Sequence, residues 1–185
     1  IGKARSYYEK AIAFDSQFFL AYFQLGVLQK KQGQSKDAIS SLNKVIEIKP
    51  DHHKTWYTLG TVHEADGNMD VAIEHYSKAI EINPGYSKAY GSLGKLYTEK
   101  QEFKKAEDIL KTSVQIDPEY ANGFMRLGLL YIAQENYKDA ASNLKVSTEL
   151  DDKDHNKYFN LASAYNHLEK WDEAAKAAQS CIDIK

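Results

Sequence analysis

The chain has 185 residues, of which 43% are apolar and 27% are charged, and its formal net charge is −2. This balance is typical of a folded protein and argues against a disordered chain and against a general nucleic-acid binder, which would normally be basic. No apolar run approaches the roughly 20 residues that a membrane-spanning helix needs, so no membrane insertion is predicted.

One pattern recurs every 34 residues along the whole chain. It consists of a leucine-glycine pair, a later alanine and, at three junctions, the only prolines of the sequence. A fixed period of this length is the signature of a repeat architecture. The recurring residues are Leu25-Gly26, Leu59-Gly60, Leu93-Gly94, Leu127-Gly128 and Leu161-Ala162; Ala4, Ala38, Ala72, Ala106, Ala140 and Ala174; and Pro50, Pro84 and Pro118.

The period divides the chain into a half-repeat and five repeats. Residues 1–18 are predicted to be the second helix of a repeat whose first helix is missing, because Ala4, Tyr8 and Ala11 share one helical face. Each following repeat is predicted to hold two antiparallel helices, A and then B. We number these repeats 1 to 5; they span residues 19–52, 53–86, 87–120, 121–154 and 155–185.

The chain is expected to be a fragment of a longer protein, since it begins in mid-repeat and without Met. The single cysteine, Cys181, excludes an internal disulfide and is compatible with a reducing compartment. A cytoplasmic location is favoured, and a periplasmic one stays open because the true N-terminus is not seen.

Glycines mark two kinds of place in the repeat. Gly33 and Gly67 fall at the turn between helices A and B, where a positive φ is expected; Gln101, Glu135 and Glu169 occupy the same place later. The glycine after each leucine lies inside a helix, where it costs about 1 kcal/mol relative to alanine. It therefore predicts a close approach between two helix backbones.

One junction lacks its proline. Asp152 stands where the pattern places Pro50, Pro84 and Pro118. Two interpretations stay open: the junction before repeat 5 is looser, or the aspartate simply ends the helix near a turn.

These residues together resemble the tetratricopeptide repeat family. The family pattern is an aromatic residue, Leu-Gly and a tyrosine in helix A, then alanine and a closing proline; here the aromatic is Tyr22, Trp56, Tyr90, Phe124 and Tyr158. The resemblance implies an all-α, right-handed α-solenoid of stacked antiparallel helix pairs. It also implies a concave groove, lined by the A helices, that holds a peptide or helical segment of a partner protein.

The family's groove positions are 2, 5, 6, 9, 12 and 13 of each repeat. In this chain they carry six basic and two acidic side chains, which predicts a partner with acidic residues, and several apolar ones, which predict anchoring contacts. Two alternatives stay open, namely a solvated lysine face without a partner and apolar side chains that pack against neighbouring helices. The predicted contact residues are Phe23, Lys54, Tyr57, Lys88, Lys95, Met125, Arg126, Leu129, Phe159 and Asn160.

No catalytic, cofactor or metal site is predicted. His52 and His53 adjoin Asp51, but no further ligands follow at zinc-like spacing. No phosphate-binding glycine loop and no nucleophile motif is present. Cys181 occupies a small-residue core position, which predicts a packed thiol.

The leading hypothesis is thus a non-enzymatic scaffold that binds a partner protein. One alternative is the recognition or regulatory arm of an enzyme whose catalytic domain lies outside this fragment. Another is an assembly module that forms homo-oligomers through its uncapped ends, since the last helix offers Ala174, Ala178, Cys181 and Ile182 with no following repeat.

Overall fold

The computed structural model describes residues 2–184, which form eleven α-helices. The all-α class and the stacking of helix pairs are confirmed, and the A and B helices follow the predicted period. The B helices are α1 (Gly2–Phe14), α3 (Ser35–Ile48), α5 (Met69–Ile82), α7 (Phe103–Ile116), α9 (Tyr137–Leu150) and α11 (Trp171–Asp183). The A helices are α2 (Phe19–Lys31), α4 (His53–Ala65), α6 (Ser87–Glu99), α8 (Ala121–Ala133) and α10 (His155–His167).

The chain divides into two compact units. The N-terminal unit, Ile1–Pro84, contains α1 to α5, and the C-terminal unit, Gly85–Lys185, contains α6 to α11. Within each unit, every A helix packs against the B helix of its own repeat, and each A helix that follows a B helix of the same unit packs against that helix too. This is the nearest-neighbour packing that repeat proteins use to bury a continuous core.

The glycine of helix A lies directly against a large side chain of helix B. A Cβ atom added at Gly60 would lie 2.5 Å from Cε1 of Tyr76, and one added at Gly94 would lie 2.4 Å from Cγ of Leu110. The predicted close approach is therefore present, and its nearest partner is a large side chain of helix B; at Gly26 the backbone oxygen of Ala38 also lies 3.3 Å from the added Cβ. Such a contact would force overpacking if the glycine were replaced.

The predicted positive φ occurs at all five A–B turns. Its value is +73° at Gly33 and +78° at Gly67. Side-chain-bearing residues adopt nearly the same conformation at Gln101, Glu135 and Glu169, with φ of 61°, 59° and 57°. The left-handed region is unfavourable for such residues, so the later turns keep the repeat geometry at a local cost.

The junction without proline has the same helix bounds as the others. α9 ends at Leu150, and the Asp154 side chain accepts a hydrogen bond from the backbone N–H of Asn156 at the start of α10 (3.0 Å). Lys157, only 1% exposed, forms ion pairs with Asp151 and Asp154. Its hydrogen bond lowers the pKa of Asp151. These contacts support the interpretation that aspartates end the helix and shape the turn.

Candidate partner-binding groove

The predicted contact residues fall in both compact units. Phe23, Lys54 and Tyr57 belong to the N-terminal unit, and the other seven belong to the C-terminal unit. Each unit is described separately below.

In the N-terminal unit, the apolar groove residues take part in internal packing. Half-buried Phe23 packs against the buried cluster of Ala38, Leu42, Leu59 and Val62. Its ring also meets the ring of His52 edge-on, with centroids 5.0 Å apart. For Phe23, this contact favours the alternative of packing against neighbouring helices.

Tyr57 and Lys54 differ in exposure, although both lie on α4. The Tyr57 ring is half-buried beside the Tyr76 ring of α5, with centroids 5.5 Å apart, whereas Lys54 is exposed. On the preceding A helix, Lys30 donates a hydrogen bond from Nζ to Oγ1 of Thr61 (2.8 Å). Burial lowers the pKa of this lysine. The N-terminal unit thus presents a cation on this face.

In the C-terminal unit, Arg126 is held across two A helices. It is half-buried on α8, and its Nη1 donates to Oγ of Ser92 on α6 (3.2 Å) and, at longer range, to the hydroxyl of Tyr120 (3.4 Å). Both partners are neutral hydroxyls, and no carboxylate in residues 2–184 forms an ion pair with this guanidinium. Among the described residues, Arg126 therefore holds a positive charge without an ion-pair partner at a fixed place on this face of the C-terminal unit.

Gly91 gives Arg126 the space that it occupies. A Cβ atom at Gly91 would lie 2.7 Å from Nη1 of Arg126 and 2.9 Å from Cε1 of Tyr120. The other four repeats carry Phe23, Tyr57, Met125 and Phe159 at this position. Only the small residue allows the guanidinium to lie against α6.

A cleft of about 160 Å³ adjoins this guanidinium. Leu129, 36% exposed, supplies an apolar contact, and Lys95 forms an exposed ion pair with Glu99 (3.3 Å). Such a pair is worth little and can be rearranged by a ligand. The cleft therefore combines an apolar side chain with two cations and one anion. Its lining residues are Lys95, Thr98, Glu99, Arg126 and Leu129.

The remaining predicted residues lie apart from this lining. Lys88 is exposed one turn before Gly91 on α6, and Met125 is half-buried beside Arg126 in sequence. Phe159 is 65% exposed on α10 and lines a hollow between α10 and α11, while Asn160 is half-buried.

The histidines form ring contacts in the N-terminal unit. His63 and His75 are stacked with centroids 5.1 Å apart, and His75 also lies beside Trp56 at 5.6 Å. Burial lowers the pKa of His75, and the neighbouring His63 lowers it further. Burial likewise lowers the pKa of His52 and of His53. In the described residues, no three His, Cys, Asp or Glu side chains gather in a metal-binding arrangement.

Comparison with known families identifies the architecture. Three family models, each described as tetratricopeptide repeat, match residues 7–40, 51–119 and 125–184. The chain belongs to the tetratricopeptide repeat family. No curated protein sequence matches it.

Solved structures with the tetratricopeptide repeat fold resemble the chain at low sequence identity. A MamA protein is 23% identical with a TM-score of 0.72, and 90% of this chain aligns with 91% of that one. PilF of Pseudomonas aeruginosa is 21% identical with a TM-score of 0.83, over 90% of this chain and 76% of that one. YrrB, described as having an unusual peptide-binding site, is 18% identical with a TM-score of 0.68, over 96% and 92%. These likenesses establish the fold. Each helix within residues 2–184 is too short or too polar to span a bilayer.

The sequence analysis did not predict the residues that hold Arg126 in place beside the cleft. Tetratricopeptide repeat positions predicted Lys95, Arg126 and Leu129, which the structure brings together, but not Gly91, Ser92 or Tyr120 as its framework. The signal in the sequence was the change from large apolar residues to glycine at the fifth position of repeat 3. A glycine in place of a large side chain on one helix face leaves space for another side chain, here that of Arg126.

Proposed function

We propose that this chain is a non-enzymatic scaffold whose Arg126 cleft binds an acidic, partly apolar peptide segment of a partner protein. The observation that carries the proposal is the half-buried Arg126 guanidinium, which is hydrogen-bonded to two hydroxyls and forms no ion pair with a carboxylate of residues 2–184. Leu129 beside it provides an apolar contact for a neighbouring side chain of the peptide.

Electrostatics favours a carboxylate as the ligand group. The groove positions of the C-terminal unit carry Lys88, Lys95 and Arg126 against the single carboxylate of Glu99. A hydrogen bond to a charged group contributes roughly 1.5–3 kcal/mol, and a half-buried arginine that is already held in place loses little side-chain entropy on binding. A peptide carboxylate beside Arg126 would therefore gain more than one beside a fully solvated lysine.

The same framework sets the geometry of binding. The hydroxyls of Ser92 and Tyr120 hold one edge of the guanidinium, so its other N–H groups remain to meet a carboxylate oxygen. The apolar side chain of the peptide would then contact Leu129, with Thr98 forming part of the wall. Lys54 and Tyr57 remain predicted contacts on the N-terminal unit, without an assigned ligand group.

A matched pair of peptide libraries tests this function. One fluorescein-labelled library of eight-residue peptides contains a Glu or Asp next to a Leu, and the other replaces each acidic residue with Gln or Asn. Fluorescence anisotropy should show saturable binding of the acidic library at low salt, with affinity falling as salt rises. The Arg126→Gln variant should bind about tenfold more weakly, since one charged hydrogen bond is lost.

Lys104→Gln is the control, because it makes the same change of charge at an exposed side chain on α7. It should leave the affinity within about twofold, as expected for a screened surface charge. Equal weakening by Arg126→Gln and Lys104→Gln would reduce the effect to overall charge and refute a specific cleft. Binding of the Gln/Asn library as tightly as the acidic one would refute the carboxylate as the ligand group.

A further inference from the structure

Lys30, near the end of α2, is held in place by a neutral hydroxyl. Its Nζ donates a hydrogen bond to Oγ1 of Thr61 on α4 (2.8 Å), and the Thr61 hydroxyl donates in turn to the backbone carbonyl of Thr58 (2.7 Å). A hydroxyl has one proton and two lone pairs, so the proton of Thr61 is engaged and a lone pair is left for the lysine. The amine is thus directed toward α4 without a negative charge to hold it.

Other lysines of the N-terminal unit are held differently. Three of them form ion pairs at 3.0 Å or less, namely Lys44 with Glu47, Lys49 with Asp51 and Lys78 with Glu81. No carboxylate of residues 2–184 forms an ion pair with Lys30. A carboxylate partner favours the charged ammonium form of a lysine, whereas a hydroxyl can accept a hydrogen bond from the ammonium and from the neutral amine alike.

The surroundings of Lys30 favour its neutral amine. Burial lowers the pKa of Lys30 and outweighs Glu64 of α4, whose charge raises it, and the adjacent Lys31 lowers it further. Lys44 on α3 is the opposite case, because the hydrogen bond and the charge of Glu47 raise its pKa. Only the neutral amine is a nucleophile, and partial desolvation or a neighbouring cation is the usual way to activate a lysine. The Lys30 side chain is also exposed enough for a small reagent to reach it.

We propose that Lys30 is a modification site whose Nζ accepts an acyl group from an acyl phosphate or an acyl thioester. In this step the neutral amine attacks the carbonyl carbon of the donor and forms an amide bond. The bond from that carbon to the phosphate oxygen or to the thiol sulfur breaks, and the leaving group departs with the electron pair. The nitrogen loses one proton to solvent, and no oxidant or reductant is required.

The product fits the same place in the fold. An acylated lysine keeps one N–H, which can still donate to Thr61, whereas acylation of Lys44 would break its ion pair with Glu47. Acylation removes the positive charge of the side chain. The modification would therefore remove a cation from this face of the N-terminal unit without disturbing the hydrogen bond that joins α2 to α4.

Acetyl phosphate is the probe that tests the proposal. The folded chain is treated at about pH 7.5 until only a small fraction has reacted, and mass spectrometry of its peptides gives the initial rate at each lysine. Lys30 should react at least about threefold faster than Lys44, because more of it is neutral at this pH. Accessibility does not disfavour Lys44, whose side chain is 53% exposed. With rising pH, the rate at Lys30 should also level off at a lower pH than the rate at Lys44.

Two carboxylate variants provide matched controls. Glu64→Gln removes the charge that raises the pKa of Lys30, and the new amide can still accept the hydrogen bond of Tyr76. It should increase the rate at Lys30 by about twofold or more and leave Lys44 unchanged. Glu47→Gln should do the reverse, since it releases Lys44 from its ion pair. Circular dichroism checks that both variants keep their helices.

Unfolding and the cleft variant complete the test. In urea the rates at Lys30 and Lys44 should agree within about twofold, because the surroundings that distinguish them are lost. Arg126→Gln should leave both rates unchanged, which separates this proposal from the proposed function.

Three outcomes would overturn the proposal. The first is a folded chain in which Lys44 reacts as fast as Lys30 or faster. The second is a rate difference that persists in urea, which would assign it to the local sequence around Lys30 and Lys31. The third is a Glu64→Gln variant that changes both rates equally or leaves the rate at Lys30 unaltered.

Discussion

The two compact units build the same A–B turn from different residues. The N-terminal unit has Gly33 and Gly67 at its two turns, whereas the C-terminal unit has Gln101, Glu135 and Glu169 in the same left-handed conformation. The left-handed conformation thus recurs whichever residue occupies the turn, so the packing of the helix pair, not the turn residue, determines it. The difference also indicates that the C-terminal unit tolerates local strain that the N-terminal unit avoids.

The units also differ in what their helix A faces carry. In the N-terminal unit, half-buried rings on the A helices pack internally, and His63 of α4 is stacked on His75 of α5. In the C-terminal unit, repeat 3 instead has Gly91 at the equivalent of Phe23 and Tyr57, and the Arg126 side chain lies in the space that results. The fifth position of the repeat is therefore filled by a packed aromatic ring in the N-terminal unit, whereas in repeat 3 of the C-terminal unit it adjoins a candidate binding cleft.

Removal of Tyr76 should have the largest effect on the N-terminal unit. This side chain is completely buried, lies against Gly60 and hydrogen-bonds to Glu64. Tyr76→Ala should lower the free energy of unfolding by about 3–5 kcal/mol, as other aromatic truncations do. Urea denaturation measures the loss, and hydrogen exchange should place it first in α4 and α5. Val71→Ala, at a 37% exposed site on α5, is the control and should cost less than about 1 kcal/mol. Equal losses in both variants would contradict the packing described for this helix pair.

Exchanging the type of turn residue between the two units tests whether the left-handed turns are strained. Gly33→Ala should destabilise the protein by about 1 kcal/mol, since alanine is disfavoured at positive φ although nothing lies within 4 Å of the added Cβ. Glu135→Gly should stabilise it by up to about 1 kcal/mol, because glycine relieves the same strain. Chemical denaturation of both variants beside the native chain measures these differences. A neutral result for Gly33→Ala together with a loss for Glu135→Gly would show that the left-handed turn is not strained.

Acidification should destabilise the N-terminal unit by less than either kind of substitution described above. The pKa values of His52, His53 and His75 are lowered in the folded state, chiefly by burial. The unfolded chain therefore binds more protons than the folded chain once the pH falls below the ordinary histidine pKa of about 6.5. The stability that these histidines contribute is fully present above that pH and is lost as the pH decreases through their folded-state pKa values. The urea midpoint should thus drop between pH 7.5 and pH 5.5. His75→Phe keeps a stacked ring without a titrating group and should reduce this drop; an unchanged drop would exclude His75 as a cause.

The repeat period predicted the helices because one spacing determines both local structure and packing. Leu59, Ala72 and Ala79 could be predicted as core residues because the equivalent positions of the other repeats are also apolar or small. The structure buries all three side chains. The two compact units were not predicted, since the period runs through Pro84 and Gly85 without interruption. For Phe23, periodicity left internal packing and partner contact open as alternatives, and the structure shows packing against the buried cluster and the His52 ring.

The candidate cleft was predictable in composition but not in arrangement. The groove positions identified Arg126, Lys95 and Leu129, yet the direction of the guanidinium depends on Gly91, Ser92 and Tyr120 acting together.

The most direct test of the central claim follows the Arg126 side chain itself by NMR. The chain has only two arginines, Arg5 and Arg126, so a spectrum of the arginine Nε–H groups contains two signals. Arg5 is an internal reference, because it pairs with Glu9 on exposed α1 (2.9 Å). Titration with an acidic peptide from the library should shift the Arg126 signal and the Gly91 amide signal along one saturable curve, and leave Arg5 in place. Saturable binding with an unmoved Arg126 signal, or parallel shifts of both arginines, would contradict the claim that this cleft binds the peptide.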